Sequence, residues 1–371
     1  MSGYFTTFEC QSIPKCLAAV HLAGSLHLLY SEGVKLMINN NFVDSESVSV
    51  IGRKSEINKI AVRGNRIYTG HSDGGMDVWD FDESGKLNWI QSLGSSLGSI
   101  TEVIITDDEF ICVSSRGLCG IYCSETFLQR KQINLESIYI HSITASNKGK
   151  IIALGGSSRI YLYDKQFYEH ITTLGNHSGP VSALSIYSDQ YTDELILISG
   201  GEDKKIFLWD LIYFTLSDQL NIHSSKVTCV NTLGNSTSAF HHYDNSALLV
   251  SSSRDKKFKL TNLRTKELVG VVDFQVTYAL TFIISTHFNS IETANRLYAF
   301  VSCSDKKIYK INLSSILNYN RRKNFLLCLS STGMIKSKPN LKYSVEELAK
   351  LSTAMFCLTT EDIRVHICAF I

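Results

Sequence analysis

Acids and lysines that recur together in short polar segments are the residues of this chain most suited to chemistry. An aspartate followed by two lysines occurs at Asp203-Lys204-Lys205, at Asp255-Lys256-Lys257 and at Asp305-Lys306-Lys307. Carboxylates in a cleft could act as general acids or bases, and clustered ammonium groups could bind an acidic protein segment or a phosphate backbone. Because the three acids recur regularly, we expect them to stabilise the structure rather than to catalyse a reaction.

Two kinds of motif for catalysis or cofactor binding are missing from the sequence. It contains no phosphate-binding glycine loop and no His-Glu-x-x-His metal motif. Two cysteine pairs, Cys10 with Cys16 and Cys119 with Cys123, lack a second pair at the spacing of a zinc finger. The sequence therefore predicts no catalytic residues, no metal, no cofactor and no enzymatic activity.

Composition favours a chain built from β-strands. With 44% hydrophobic and 19% charged residues among 371, the chain can bury a large core, and its three prolines and many aromatic and β-branched runs favour strands. The formal net charge of +1 gives no bulk electrostatic reason to expect nucleic acid or membrane as a partner. No apolar run reaches the length of a bilayer span, and the N-terminus does not resemble a secretory leader, so we expect an intracellular protein.

An internal repeat determines the predicted fold. Eight approximate units of strand, turn, strand, tight turn and strand follow one another at roughly the 40-to-55-residue spacing of propeller blades. One blade cannot bury both of its faces, whereas a closed ring buries all of them and protects the strand edges. In the clearest units an acid stands six residues before a strand residue: Asp73 before Trp79, Asp203 before Trp209, Asp255 before Thr261 and Asp305 before Ile311.

The dipeptides Trp79-Asp80 and Trp209-Asp210 resemble the signature of the WD40-repeat family, and the resemblance covers nearly the whole chain. The unit around the second dipeptide also matches the family's structural hydrogen-bond network at four residues, His177, Ser199, Asp203 and Trp209. The physical reason is that a buried carboxylate needs donors, which an imidazole, a hydroxyl and an indole can supply. The next unit keeps His223, Ser251 and Asp255 but has Thr261 instead of tryptophan.

This resemblance implies a single all-β domain over residues 1–371, folded as a WD40-type β-propeller. We favour seven blades in a ring closed by N- and C-terminal strands, with the strand near Tyr4 to Phe8 completing the last blade. An eight-bladed ring is the alternative. Residues 313–350 are predicted to form an irregular insertion with a short helix, which begins at Ser344 and ends at Leu351.

In a propeller of this family the aspartate turns lie on one face, around the central channel. The resemblance therefore implies that the lysines after the three turn acids form a basic arc that contacts partners. The predicted partner-binding residues are Lys204, Lys205, Arg254, Lys256, Lys257, Lys306 and Lys307. The arc would attract an acidic protein segment or RNA. The structural alternative is that a lysine after each acid only keeps its turn soluble.

The function that these features favour is a non-catalytic scaffold for protein–protein interactions in a multi-subunit assembly. The segments "RTKELVGVVDFQVTYALTFIIS" and "RLYAFVSCSDKKIYKINL" resemble a pair of blades in the WD-repeat subunits of the complex that matures the large ribosomal subunit. This resemblance favours ribosome biogenesis or RNA processing, in the nucleus or nucleolus, with the cytoplasm as the alternative location. Two other functions stay open: the substrate receptor of a ubiquitin ligase and the non-catalytic partner of an RNA-modifying enzyme.

Overall fold

The computed structural model describes most of the first 316 residues. The described ranges are 5–22, 25–40, 48–51, 54–82, 86–94, 97–135, 138–146, 150–188, 194–233, 247–274, 277–287 and 296–316. The chain divides into two compact units, residues 1–314 and 315–371. Of the predicted insertion at 313–350, only the first four residues are described, and they are helical. The helix predicted from Ser344 to Leu351 lies outside the described residues.

Twenty-eight strands are described, and they form seven antiparallel sheets of four strands each. The first blade contains β2 (Leu17–Leu22), β3 (Ser25–Glu32), β4 (Lys35–Asn40) and β5 (Val48–Ile51). The second contains β6 (Ile57–Arg63), β7 (Arg66–His71), β8 (Met76–Phe81) and β9 (Leu87–Leu93). The third contains β10 (Ile100–Ile105), β11 (Glu109–Ser114), β12 (Leu118–Cys123) and β13 (Gln129–Asn134).

The remaining blades repeat this order of strands. The fourth contains β14 (Ser142–Ser146), β15 (Ile151–Gly155), β16 (Ile160–Asp164) and β17 (His170–Leu174). The fifth contains β18 (Val181–Ser188), β19 (Leu195–Gly201), β20 (Ile206–Asp210) and β21 (Thr215–Leu220). The sixth contains β22 (Val227–Leu233), β23 (Leu248–Ser253), β24 (Lys257–Asn262) and β25 (Leu268–Asp273). The seventh contains β26 (Ala279–His287), β27 (Arg296–Cys303), β28 (Lys307–Asn312) and the N-terminal β1 (Phe5–Glu9).

These sheets form a closed ring. The first strand of each blade packs against the first strand of the next, and β26 of the last blade packs against β2 of the first. Strand β1 pairs with β28 in an antiparallel register that places Thr7 opposite Tyr309. The prediction of a seven-bladed propeller whose N-terminal strand completes the last blade is confirmed.

The core lies between neighbouring blades rather than inside one of them. Leu29 and Ile38 of the first blade pack with Ile60 and Trp79 of the second. Equivalent clusters join the second blade to the third, the third to the fourth, the fourth to the fifth and the fifth to the sixth. Phe300 of the seventh blade belongs to a cluster that includes residues of the first. Burial on both faces explains why β11 and β15 are buried along their whole length, whereas the outer strand β13 is mostly exposed.

Polar side chains on the first strands join consecutive blades around the axis. Ser182 lies at a β-bulge, where the pairing with the second strand shifts by one residue, and its hydroxyl donates to the Val227 carbonyl of the next blade over 2.5 Å. Thr228 lies at the equivalent bulge and donates to the carbonyl of Ala279 over 2.8 Å. The amide of Asn58 does the same towards Ile100, also over 2.8 Å. The bulges therefore turn these side chains towards the neighbouring blade.

Deletion of residues 1–9 tests the ring closure. Without β1, the edge of β28 is uncovered, so we expect a lower thermal midpoint and concentration-dependent association through the free edge. Differential scanning fluorimetry and light scattering would measure the two effects. Deletion of residues 1–4, which keeps β1, is the matched control. A shortened chain as stable and monomeric as the full one would contradict the inferred role of β1.

Candidate interaction face

The turns from the second to the third strand of the last three blades share one geometry. We call residues 202–205, 254–257 and 304–307 the aspartate turns. In the first of them Asp203 Oδ1 accepts a hydrogen bond from the backbone N–H of Lys205 over 3.2 Å. The corresponding distances are 3.0 Å for Asp255 with Lys257 and 3.3 Å for Asp305 with Lys307. In the second blade Asp73 accepts from Gly75 over 2.9 Å.

The residue after each turn acid has a left-handed backbone. The φ angles are 71° at Lys204, 68° at Lys256 and 62° at Lys306. In the second blade the equivalent residue is Gly74, with φ of 88°. A left-handed residue is what brings the amide of the following residue back towards the aspartate. The acid is therefore part of the turn itself.

Beneath the turn of the fifth blade lies a chain of four buried polar side chains. The indole N–H of Trp209 donates to Ser199 Oγ over 2.9 Å, and Ser199 Oγ lies 2.9 Å from His177 Nε2. His177 Nδ1 lies 2.9 Å from Asp203 Oδ2. An indole can only donate and an ionised carboxylate can only accept, so with a neutral imidazole the bonds run from tryptophan to serine, to histidine and to aspartate. This direction requires a neutral imidazole that is protonated at Nδ1.

The sixth blade keeps three of the four members of this hydrogen-bonded network. His223 Nδ1 lies 2.8 Å from Asp255 Oδ2, and its Nε2 lies 2.9 Å from Ser251 Oγ. Thr261 stands where tryptophan stands in the fifth blade, and its buried hydroxyl has no hydrogen-bond partner among the described residues. The chain of bonds therefore ends at the serine.

In the seventh blade, apolar residues stand at two positions of this hydrogen-bonded network. Val301 and Ile311 occupy the serine and tryptophan positions, and both are fully buried. Asp305 accepts a hydrogen bond from the hydroxyl of Tyr309 over 2.7 Å instead. Its carboxylate is thus satisfied by a residue of the third strand, four positions along the chain.

The second blade supplies its imidazole from a different place. His71, at the end of β7, lies 2.9 Å from the hydroxyl of Thr69, which also accepts from the indole of Trp79 over 3.4 Å. In the fifth blade this position is Gly201, where an added Cβ would lie 2.5 Å from His177 Nδ1. The two histidines therefore fill the same space from opposite sides. Sequence reasoning missed His71, although a histidine two residues before the turn acid was the available signal.

Burial determines the charge states in these networks. It lowers the pKa of His177 and of His223, although the neighbouring carboxylates oppose the shift. Burial alone would raise the pKa of Asp255, but the hydrogen bonds from His223 and from backbone amides outweigh it and hold that pKa below its usual value. These directions favour neutral imidazoles at His177 and His223 and an ionised carboxylate at Asp255 at neutral pH. The side chains of His177 and Asp203 are 1% and 4% exposed, which suits a structural role and leaves no room for a substrate.

The structure places the predicted arc of cations on one face. All second-to-third-strand turns lie at the same end of the ring as the connections between blades, because every blade has the same strand order and antiparallel pairing. We call this end the turn face. Lys204, Lys256 and Lys306 are exposed there, together with Arg254.

The second lysine of each turn is half-buried. The ammonium of Lys205 lies 5.7 Å from the ring centre of Phe207, and Lys307 forms a 3.0 Å ion pair with Glu9 of β1. Lys257 is half-buried in the same way. These three residues therefore contribute less to the outer surface than the lysines that precede them.

The first strands surround a polar cavity of about 660 Å³ on the axis. Lys59 and Glu102, from the second and third blades, form a 2.7 Å ion pair in its wall. Burial opposes the charge of Lys59, but Glu102 raises the pKa of Lys59 above its ordinary value, so the ammonium stays charged. Within the described ranges, no group of three or more His, Cys, Asp and Glu side chains could hold a metal ion. No described helix is long and apolar enough to cross a membrane.

A charged cluster lies at the opposite end, between the third and fourth blades. Arg130 binds Asp108 over 2.9 Å and the buried Glu109 over 2.8 Å, and the hydroxyl of Tyr168 also donates to Glu109. The hydrogen bond from Arg130 lowers the pKa of Asp108. Opposite charges are matched inside this cluster, in contrast to the turn face. Sequence reasoning did not identify it, since its members come from separate strands and connections of two blades.

Comparison with known proteins agrees with the repeat. The family model described as "WD domain, G-beta repeat" matches residues 168–210, from the end of the fourth blade through the third strand of the fifth. The chain is 23% identical over 207 residues to the sterol regulatory element-binding protein cleavage-activating protein of Xenopus laevis, covering 47% of this chain and 15% of that protein. It is 22% identical over 153 residues to eukaryotic translation initiation factor 3 subunit I of Anopheles gambiae, covering 37% and 45%.

A third relative is autophagy-related protein 16 of Arabidopsis thaliana, 24% identical over 211 residues, covering 56% of this chain and 38% of that protein. The chain thus spans less than half the length of each of these three relatives. Each relative is therefore similar to this chain over part of its length only.

Replacing the central serine tests the hydrogen-bond network. Ser199→Ala leaves both the indole of Trp209 and the imidazole of His177 without their partner, so we expect a loss of about 1 to 3 kcal/mol in the free energy of unfolding. Ser251→Ala is the matched control, because its serine has one such partner rather than two, and we expect a smaller loss. Urea denaturation measures both. An equal effect of the two substitutions would contradict the proposed chain of bonds.

Acidification tests the charge states. Because the pKa of His177 and of His223 is lower in the folded protein than the ordinary 6.5, the unfolded chain takes up protons first as the pH falls. Protonation of Asp255, whose folded pKa is also lowered, acts in the same direction at lower pH. We therefore expect the free energy of unfolding to decrease below about pH 6.5. A His177→Gln, His223→Gln variant should show a shallower decrease, and stability that rises on acidification would contradict the assignment.

Proposed function

Given that the chain is a WD40-repeat β-propeller, we propose that it is a non-catalytic scaffold that binds protein partners in a multi-subunit assembly through its turn face. The observation that carries this proposal is the arrangement of charge in the aspartate turns. Each acid points into the blade and is satisfied there, whereas the lysine that follows it is exposed. The turn face therefore presents Lys204, Lys256 and Lys306 on a rigid support.

Rigidity makes these lysines suitable for recognition. The turns are held by hydrogen bonds from the backbone to their own acids and, in the fifth and sixth blades, by the buried imidazoles of His177 and His223. A charge on a rigid loop loses less conformational freedom on binding than one on a flexible segment. Clustered ammonium groups would also accelerate the encounter with an acidic partner.

The three relatives support a scaffold rather than a particular activity. Their names refer to a cleavage-activating protein, a subunit of a translation initiation factor and an autophagy-related protein. Regions similar to parts of this chain thus occur in proteins with different names and roles. A repeat domain that presents a binding surface is consistent with all three settings.

The finer proposal places the assembly in ribosome biogenesis or RNA processing, in the nucleus or nucleolus. It rests on the resemblance of the sixth and seventh blades to the WD-repeat subunits of the complex that matures the large ribosomal subunit. The cytoplasm is the alternative location. A substrate receptor of a ubiquitin ligase and a non-catalytic partner of an RNA-modifying enzyme are the competing functions, and each predicts different co-purifying proteins.

Affinity purification of the chain from its native cells, followed by mass spectrometry, tests the proposal. We expect a reproducible set of protein partners whose recovery decreases with salt and is lost in the Lys204→Glu, Lys256→Glu, Lys306→Glu variant. The matched control is Lys86→Glu, Lys131→Glu, Lys150→Glu, which makes the same change in net charge at exposed lysines away from the turn face. Equal recovery by both variants would contradict binding through the aspartate turns.

A further inference from the structure

Unpaired cations continue along the turn face beyond the aspartate turns. Each of the third to seventh blades has an exposed arginine or lysine in the turn between its second and third strands that forms no ion pair with any described residue. These five residues, which we call the cation path, are Arg116, Arg159, Lys204, Arg254 and Lys306. Two other cations on the same face are neutralised: Lys15 binds Glu56 over 2.5 Å, and Lys226 binds Glu202.

Three side chains of the cation path are held against their surroundings. The guanidinium carbon of Arg254 lies 5.4 Å from the ring centre of Tyr278. The side chain of Arg116 packs over Gly98: a Cβ added at Gly98 would lie 3.1 Å from the Cδ of Arg116. Arg159 lies beside Gly175: a Cβ added at Gly175 would lie 3.7 Å from the Cγ of Arg159. Side chains already confined in this way lose less entropy when they bind a ligand.

Acids in the turns do not cancel the cation path. The carboxylates of Asp203 and Asp255 are 4% exposed and are hydrogen-bonded to histidines beneath the turns. Asp305 accepts from Tyr309, and Glu202 is engaged by Lys226. An incoming anion therefore meets the cations first.

The cation path has two ends. In the second blade the turn carries Asp73 and Gly74 instead of a cation, and in the first blade it carries Gly33. Exposed cations thus occupy the second-to-third-strand turns of five consecutive blades and are absent from the same turns of the other two. A ligand that follows it would be long, curved and acidic.

We infer that the cation path binds an acidic protein segment in an extended conformation, which runs over the turns of the third to seventh blades. This inference rests on the proposed function and names the chemical class of the partner. Carboxylates spaced along the segment would meet one cation in each blade. Arg116 and Arg159, which the sequence did not mark as partner-binding, would be as important as the lysines.

The observations favour a protein segment over single-stranded RNA. Proteins that bind single strands commonly stack bases on exposed aromatic rings. On the described part of the turn face, Tyr278 lies under Arg254, and Phe274 packs against Tyr309. Tyr139 is the exposed ring there, with 63% of its surface accessible. One ring beside five cations suits carboxylates better than a row of bases.

Fluorescence anisotropy with a labelled poly-glutamate peptide tests the inference on the full chain. A peptide of about 20 residues spans about 65 Å when extended, which is enough to follow several turns. We expect binding that weakens with salt and falls by at least about tenfold in the Arg116→Glu, Arg159→Glu variant. Lys131→Glu, Lys150→Glu is the matched control, because it changes two exposed lysines of the same blades away from the turn face, and it should bind like the wild type.

Three further measurements make the outcome decisive. Arg116→Gln, Arg159→Gln removes the charges without reversing them and should show an intermediate loss, while circular dichroism checks that both arginine variants are folded. Undiminished peptide binding by the folded arginine variants would overturn the inference.

The inference would also be overturned if a poly-uridine RNA of equal charge bound more tightly than the peptide and lost affinity in the Tyr139→Ala variant. After either of these outcomes, the recovery of native partners by the triple lysine variant separates the two proposals. If that variant still loses the partners, the proposed scaffold function stands and only the inference of an acidic protein segment is rejected.

Discussion

A blade with apolar side chains on both faces is stable only between two other blades, and this constraint determines the rest of the structure. The clusters that contain Trp79, Ile111 or Trp209 each join two sheets, so no blade has a core of its own. The last blade meets the same requirement by taking the N-terminal β1 as its fourth strand and packing against the first blade. Closure also explains the hydrogen bonds from Ser182 and Thr228 to the next blade, since bulges turn these side chains sideways.

Within this frame the polar network beneath the turns tolerates large changes. The fifth blade has all four members, the sixth lacks the tryptophan, and the seventh uses Val301 and Ile311 instead. An apolar pair at these two positions removes the donor and the acceptor together, which costs little because no buried polar group is left alone. The second blade keeps an imidazole by moving it to His71. What these blades share is a turn carboxylate that accepts hydrogen bonds, and several sets of residues supply the donors.

This tolerance explains what could be predicted from the sequence. The fold was predictable because the spacing between Asp203 and Trp209 recurs, and repetition carries information even where single residues change. The contribution of His71 was not, because its place in the network follows from the space beside Gly201. Arg116 and Arg159 were missed for a related reason. Their turns lack the aspartate that marked the others, and only the ring shows that they lie on the same face.

The aspartate turns also show why composition hides the surface charge. Each turn contributes one acid and two lysines to a formal net charge of +1 for the whole chain, so a count of residues suggests a neutral protein. The backbone separates these charges: the acid is bound inside the turn, and the left-handed residue after it carries its ammonium outwards. Desolvation and hydrogen bonds to the acid weaken its field at the surface, whereas the exposed lysine keeps its own. A nearly neutral chain can therefore present one cationic face, and its effect on an acidic partner depends on the fold rather than on the total charge.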